Sequence, residues 1–208
     1  MKLVDKLINN IKFDKKYVLF ALILVILGVI TGSLFIVILN NADKNLVIEY
    51  ISNFIDNIKN GNINNLDIFK NTLITNYIVI LILVIIGFSC FLFSINILIL
   101  FYKAFIVGFS LSAFILTYGI KGTLFSVFYI LPHLIINILI FCLITAFTLK
   151  ISLSMIKYII KRKEINMRIY FNKYFSIIIL SFIIITITGL YESYIVPYVL
   201  KLIVNLII

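Results

Sequence analysis

The chain has 208 residues, of which 63% are hydrophobic and only 12% are charged, and this composition excludes a water-soluble domain. The formal net charge of +10 does not indicate nucleic-acid binding, because the basic residues flank long apolar runs and form no stripe interleaved with exposed aromatic residues. They instead predict membrane topology and contact with anionic lipids at the cytoplasmic face. The composition therefore predicts a polytopic integral membrane protein.

The first apolar run covers residues 17–39 and follows a basic N-terminus, residues 1–16. A helix of this length extends about 34 Å, enough to cross a hydrocarbon core of about 30 Å. The run is too long for the apolar part of a signal peptide and no A-x-A site follows it, so we predict an uncleaved first span. Gly28 and Gly32 within the run favour either close approach of a second helix or simply the ordinary glycine content of a membrane helix.

Residues 40–72 form the one sizeable polar insertion, with a net charge of −1. Within it, five apolar residues recur at helical spacing: Val47, Ile51, Phe54, Ile55 and Ile58. They predict an amphipathic helix that ends at Asn60-Gly61, followed by a second short helix from about Asn64. The apolar face of the first helix is expected to lie on the membrane surface, to pack on the other helices or to receive a partner, and the sequence leaves these choices open.

Lys103 is the one charge between residues 77 and 118, and we interpret it as a cytoplasmic turn at which the side chain reaches the interface. It divides the apolar run into a long segment and a short one. The predicted second to fifth spans are residues 77–101, 104–118, 122–149 and 174–196. A basic loop, residues 150–173, separates the last two spans, and an apolar tail, residues 197–208, follows them.

The distribution of charge predicts the orientation. Residues 1–16 carry a net +3 and residues 150–173 a net +6, so both are expected in the cytoplasm. Five crossings then place the insertion and the C-terminal tail outside. Because the apolar piece from Ala104 to Thr117 extends only about 21 Å as a helix, three full spans with re-entrant segments at 104–118 and 122–149 remain the alternative. We predict an all-α fold with a single membrane domain of about five transmembrane helices and a short amphipathic extracytoplasmic insertion.

The sequence contains no signature of a serine hydrolase, zinc protease, redox dithiol or P-loop enzyme, and no cofactor or metal-ligand motif. Isolated polar residues in apolar surroundings are costly in a membrane and are candidates for function: Asn96, Lys103, His133, Asn137 and Glu192. His133 and Asn137 lie one helical turn apart, near the predicted middle of segment four, directly after Pro132. They predict either a helix break that binds a substrate or a hydrogen bond across the bundle.

Glu192 and Pro197 are expected to shape the outer end of the fifth span. A proline cannot donate a backbone hydrogen bond, so Pro197 predicts a bend and the start of an exposed tail. Glu192 is expected close to the interface. His133 and Glu192 are expected at opposite depths of the membrane and form no plausible catalytic pair, so we predict that the protein is not an enzyme.

Five short segments, spread over nearly the whole chain, carry a family resemblance. They are Gly28-Val-Ile-Thr-Gly32, Tyr50-Ile-Ser-Asn-Phe54, Lys103-Ala-Phe-Ile-Val-Gly108-Phe, Ser126 to Leu131 followed by Pro132, and Tyr191-Glu-Ser-Tyr-Ile-Val-Pro197. In order and spacing they resemble the stage II sporulation protein M family. Broader relatives in this family carry a Pro-His-Gly-x-x-Glu pattern. Here Pro132 and His133 match it, whereas Leu134 replaces the glycine and Asn137 occupies the position of the acid.

The resemblance implies a multi-spanning protein of the sporulation septum, or engulfing membrane, of endospore-forming bacteria. Such a protein recruits two peptidoglycan-degrading enzymes, the stage II sporulation proteins D and P, and itself breaks no bond. We therefore expect a membrane scaffold for cell-wall remodelling, and the sequence leaves a homo-oligomer open. The alternative is a small transporter or permease subunit, with His133 and Asn137 in a broken fourth helix near the bilayer midplane.

Overall fold

The computed structural model describes residues 14–61, 64–87, 89, 92–161 and 167–207. Within these residues the chain is almost entirely helical and forms no strand. The helices in chain order are α1 (Lys15–Ile38), α2 (Asn41–Lys59), α3 (Asn65–Gly87), α4 (Phe93–Tyr118), α5 (Ile120–Phe125), α6 (Leu131–Lys161), α7 (Met167–Leu190) and α8 (Val196–Ile207). Two π-helical segments, Ser126–Ile130 and Tyr191–Ile195, precede α6 and α8.

Five of the described helical stretches are long and apolar enough to cross a membrane. They are Lys15–Ile38, Asn65–Gly87, Phe93–Tyr118, Pro132–Ile160 and Asn172–Ile203. The predicted all-α polytopic fold with five spans is therefore confirmed.

The predicted turn at Lys103 is wrong. The chain leaves one helix at Gly87 and enters the next at Phe93, so Lys103 lies near the middle of α4, a helix of 26 residues. Such a helix is about 39 Å long, and the reason for a re-entrant third segment disappears. The error arose because residues 88–92 are not charged, so the sequence did not mark this break, whereas the isolated lysine marked a false one.

The predicted loop and tail are also helical where the structure describes them. α6 continues to Lys161 and α7 begins at Met167, so much of the expected basic loop extends these two helices. The prediction of an exposed tail after Pro197 is wrong. α8 continues the helix and packs on the bundle, and its residues Val196 and Leu200 are each 1% exposed. Its apolar residues form part of the same buried cluster as Ile51 and Ile55 of α2.

α2 is the predicted amphipathic helix. It begins after Asn40, whose side-chain oxygen accepts a hydrogen bond from the backbone N–H of Asp43 at 2.8 Å, as an N-cap residue does. It ends at Lys59, and Gly61 follows with a φ of 72°, a left-handed conformation that glycine adopts without strain. Ile51, Ile55 and Ile58 are buried against the bundle. Of the alternatives for the apolar face, α2 therefore packs on the other helices.

α1 and α4 form the most extensive helix pair among the described elements. Glycines make this contact possible: a Cβ atom added at Gly32 would clash with the backbone carbonyl of Phe105, and one added at Gly108 would clash with the backbone of Val29. A Cβ added at Gly28 would lie 2.6 Å from the Cβ of Ala104. Small residues therefore let the two backbones touch, as they do at other membrane helix interfaces.

Both prolines of the chain follow the same local structure. Tyr-Ile-Leu-Pro132 and Tyr-Ile-Val-Pro197 each place the proline two residues after the end of a π-helical segment. A proline in a helix leaves the carbonyl four residues earlier without its usual donor. The wider π turn changes the hydrogen-bonding pattern at this point, and the chain continues as a helix instead of stopping. The result is that α8 continues the fifth span beyond Pro197.

Candidate functional site

His133 and Glu192 lie side by side at the end of the bundle that carries α2. The imidazole Nε2 is 3.7 Å from a carboxylate oxygen, Oε1, within ion-pair range but too long for a hydrogen bond. The side chain of His133 is 4% exposed and that of Glu192 is 19% exposed. The expectation that these residues lie at opposite depths is wrong. His133 is at the beginning of the span Pro132–Ile160, not near its middle, and the π turn after α7 carries Glu192 to the same level.

Thr72 in α3 is a third neighbour of this pair. Its side chain lies close to the carboxylate of Glu192. A carboxylate has about four positions at which it can accept hydrogen bonds, so Glu192 can bind several donors at once. The site therefore brings together α3, the start of α6 and the π turn that follows α7.

Asn137 makes a hydrogen bond across the bundle. Its side-chain oxygen accepts a hydrogen bond from the hydroxyl of Thr188 in α7 at 2.7 Å, and both side chains are buried. Of the two functions considered for this residue, the cross-bundle hydrogen bond is the one that the geometry shows. The amide side chain of Asn137 therefore links α6 to α7.

A cavity of about 500 Å³ lies between α2, α4 and the start of α6, and His133 and Glu192 form part of its wall. Aromatic rings supply much of the remaining lining, from Tyr50 and Phe54 on α2 and from Phe109 and Phe114 on α4. Pockets that bind small molecules typically combine an apolar lining with a few polar groups. The arrangement can hold an apolar body with one polar or charged group directed at the carboxylate.

The predicted candidate residues divide into separate groups in the structure. Phe54, His133 and Glu192 meet at the cavity, whereas Gly28, Gly32 and Gly108 lie at the contact of α1 with α4. Lys103 belongs to neither group. Its Nζ lies 5.6 Å from the ring centre of Phe141 in α6. Pro132 and Pro197 follow the π turns that direct His133 and α8.

Sequence reasoning missed Thr72 and the aromatic residues of α4. The sequence pattern places Thr72 at the end of the polar insertion, and only the early start of α3 shows that it lies near Glu192. Phe109 and Phe114 belong to a long apolar run in which the residues that line a cavity look the same as those that face lipid. Their five-residue separation carries no signal by itself.

Asn96 lies in a second buried polar cluster, toward the other end of the bundle. Its amide nitrogen donates to the Thr148 hydroxyl at 2.9 Å and to the carbonyl of Leu83 at 3.3 Å. The Tyr174 hydroxyl donates to the same carbonyl at 3.3 Å. These bonds connect α3, α4, α6 and α7, so Asn96 and its neighbours stabilise the bundle.

The described residues form five helices long and apolar enough to span a membrane, with an amphipathic helix packed on one end of the bundle. A histidine–glutamate pair lies beside a cavity at that end. These features define a polytopic helical membrane protein with a candidate site at one end of the bundle. The family model for stage II sporulation protein M matches residues 19–197, which is most of the chain. The chain therefore belongs to the stage II sporulation protein M family and is a sporulation-related membrane protein. No curated protein and no solved structure matches the chain.

Proposed function

We propose that the protein is a membrane scaffold that holds peptidoglycan-degrading enzymes at the engulfing membrane during endospore formation. Membership of the stage II sporulation protein M family supports a role in sporulation. The partners proposed are the stage II sporulation proteins D and P, which the family resemblance implies. The scaffold itself breaks no bond in this proposal.

The observation that carries the proposal is that α2 has one face buried on the bundle and large apolar side chains exposed on another. Its buried isoleucines hold one side of the helix on the bundle, while Leu46 and Tyr50 are 63% and 77% exposed. Large apolar side chains on a helix that is fixed in place offer a preformed surface for another protein. The net charge of the insertion against those of the N-terminus and the basic segment favours an external location for α2, on the side where peptidoglycan lies.

Affinity purification from sporulating cells tests this proposal. We expect that replacing both Leu46 and Tyr50 by alanine reduces recovery of the two hydrolases several-fold at unchanged protein level, because these side chains are exposed and contribute little to the fold. Ile159→Ala is the matched control, since Ile159 is similarly exposed but lies near the C-terminal end of α6. Undiminished hydrolase recovery with the double variant would contradict the proposal, as would normal hydrolase localisation in cells that lack the protein.

A small transporter is the second candidate, and the π turns beside the cavity favour it, because π turns inside helices are frequent at functional sites. In that case His133→Ala abolishes function at unchanged protein level while the hydrolases stay localised. Measuring both properties in the same strain separates the two candidates.

A further inference from the structure

We infer that the cavity beneath α2 binds the ammonium headgroup of an aminophospholipid, with Glu192 as the counter-charge. This site goes beyond the scaffold function and does not depend on it. Glu192 is the one carboxylate among the described residues that line the cavity, and the described lining contains no lysine or arginine, with His133 as its one basic side chain. The cavity therefore offers a negative group to whatever enters it.

The surroundings of the carboxylate favour a cationic ligand. A carboxylate removed from water is costly unless charge or hydrogen bonds compensate it. The side chain of Thr72 lies near the carboxylate, and Nε2 of His133 is 3.7 Å from Oε1, within ion-pair range for a protonated imidazole but beyond hydrogen-bond distance. An ammonium group at the cavity side of Glu192 would supply both a charge and hydrogen-bond donors.

The aromatic lining of the cavity also favours a cationic ligand. The faces of aromatic rings attract cations, and sites that recognise ammonium groups commonly surround them with several rings. Tyr50, Phe54, Phe109 and Phe114 belong to the wall that also contains Glu192. An anionic lipid gains nothing from these rings and is repelled by the carboxylate, so the site is expected to distinguish lipids by headgroup charge.

The size and position of the cavity favour a lipid over a protein segment. An α-helix with its side chains is about 10–12 Å across, and two turns of it would need more than the roughly 500 Å³ present. A headgroup and the first part of an acyl chain fit this volume. The rim includes Leu46 and Tyr50, which are exposed on the amphipathic helix, so the cavity opens where a lipid headgroup layer meets the bundle.

The absence of tryptophan from the sequence permits a direct binding assay. Tyr50→Trp places a single tryptophan at the rim, where the exposed position tolerates a larger ring. The purified full-length variant is titrated in detergent micelles with phosphatidylethanolamine or phosphatidylglycerol, both with brominated acyl chains that quench tryptophan. We expect phosphatidylethanolamine to reach half-maximal quenching at a concentration about tenfold lower than that of phosphatidylglycerol. One charge-dependent contact of moderate strength gives a difference of this size.

Three controls test whether the lipid preference depends on charge. Glu192→Gln in the reporter protein keeps the shape of the side chain and is expected to abolish the lipid preference. Glu49→Gln makes the same change at an exposed position of α2 outside the cavity and is expected to preserve it. N-acetylated phosphatidylethanolamine removes the cation from the ligand, so the unaltered reporter protein should lose its preference without any change in the chain.

Equal quenching by the two brominated lipids in the reporter protein would overturn the inference, and so would a preference that survives Glu192→Gln. Free ethanolamine distinguishes the headgroup alone from the intact lipid, and it is expected to compete at least tenfold more weakly than the lipid. If a lysine-bearing transmembrane peptide relieves quenching while the two lipids behave alike, the cavity belongs to a protein partner and the inference fails.

Discussion

Gly108→Ala tests the close packing of α1 against α4. The new methyl carbon would lie 2.8 Å from the carbonyl carbon and 2.9 Å from the Cα of Val29, and it would clash with the carbonyl oxygen of that residue. Carbon atoms in normal contact are about 3.5–4.0 Å apart, so the two backbones must separate by roughly 0.7 Å or more. A flexible side chain cannot relieve this clash, because the opposing atoms are backbone.

Two effects of opposite sign determine the expected stability change. Alanine is favoured over glycine inside a helix by about 0.5–1 kcal/mol. Overpacking of a well-packed contact costs about 1–3 kcal/mol, and a rigid backbone partner places Gly108→Ala toward the upper end. We therefore expect a net loss of about 1–2 kcal/mol in the free energy of unfolding, or a fall of about 2–8 °C in the melting temperature.

Gly189→Ala is the matched control, because Gly189 is also within a spanning helix but has a different neighbour. A Cβ added there would lie 3.3 Å from a terminal methyl group of Leu73, which can move aside. The preference of alanine over glycine in a helix then acts almost alone. The free energy of unfolding of this variant is expected to be unchanged or higher by up to about 1 kcal/mol. Thermal unfolding of the detergent-solubilised proteins, followed by circular dichroism, measures both. If Gly108→Ala equals or exceeds the stability of the control, the proposed backbone contact is wrong.

Three further predictions concern other parts of the molecule. In a variant without native cysteines, an impermeant thiol reagent applied to intact cells should label a cysteine at Asn57 but not one at Asn166, and the reverse pattern would contradict the orientation expected from charge. Ile55→Ala removes a side chain that is 1% exposed between α2 and the bundle, so thermal unfolding should show a loss of about 2–4 kcal/mol; an unchanged midpoint would mean that α2 is not packed there. Asp14→Asn breaks the 2.8 Å ion pair with Lys150, but both side chains are partly exposed, so the same assay should detect a loss of no more than about 1 kcal/mol, and a clearly larger loss would rule out a surface pair.

The number of spans and the amphipathic helix could be predicted because each leaves a direct mark on the sequence. Long apolar runs report burial in lipid, and the spacing of Ile51, Ile55 and Ile58 reports a helix with one buried face. The boundary between α3 and α4 could not be predicted, because residues 88–92 are not charged and do not contrast with the lipid-facing residues around them.

The candidate site was harder to predict, because it depends on how two helices continue through their prolines. From the sequence alone, Pro197 predicts the end of the fifth span and places Glu192 at the edge of an exposed tail. The π turn absorbs the missing backbone donor, and the helix continues. Only then do His133 and Glu192, 59 positions apart in the sequence, reach the same level of the bundle. The sequence contains both residues but no periodic pattern that connects them.

The π turn before Pro197 has a consequence for how length changes in the chain would be tolerated. Inserting one residue into a regular α-helix turns everything that follows by 100°, whereas a π turn takes up the extra residue in one wider turn and largely preserves the angular phase. Deleting one residue from Tyr191–Ile195 would therefore allow regular α-helical bonding with little rotation of α8 relative to α7. Val196 and Leu200 would stay directed at the cluster in which they are buried. The same deletion between Val196 and Leu200 has no π turn to absorb it, and it would turn Leu200 by about 100° away from that cluster.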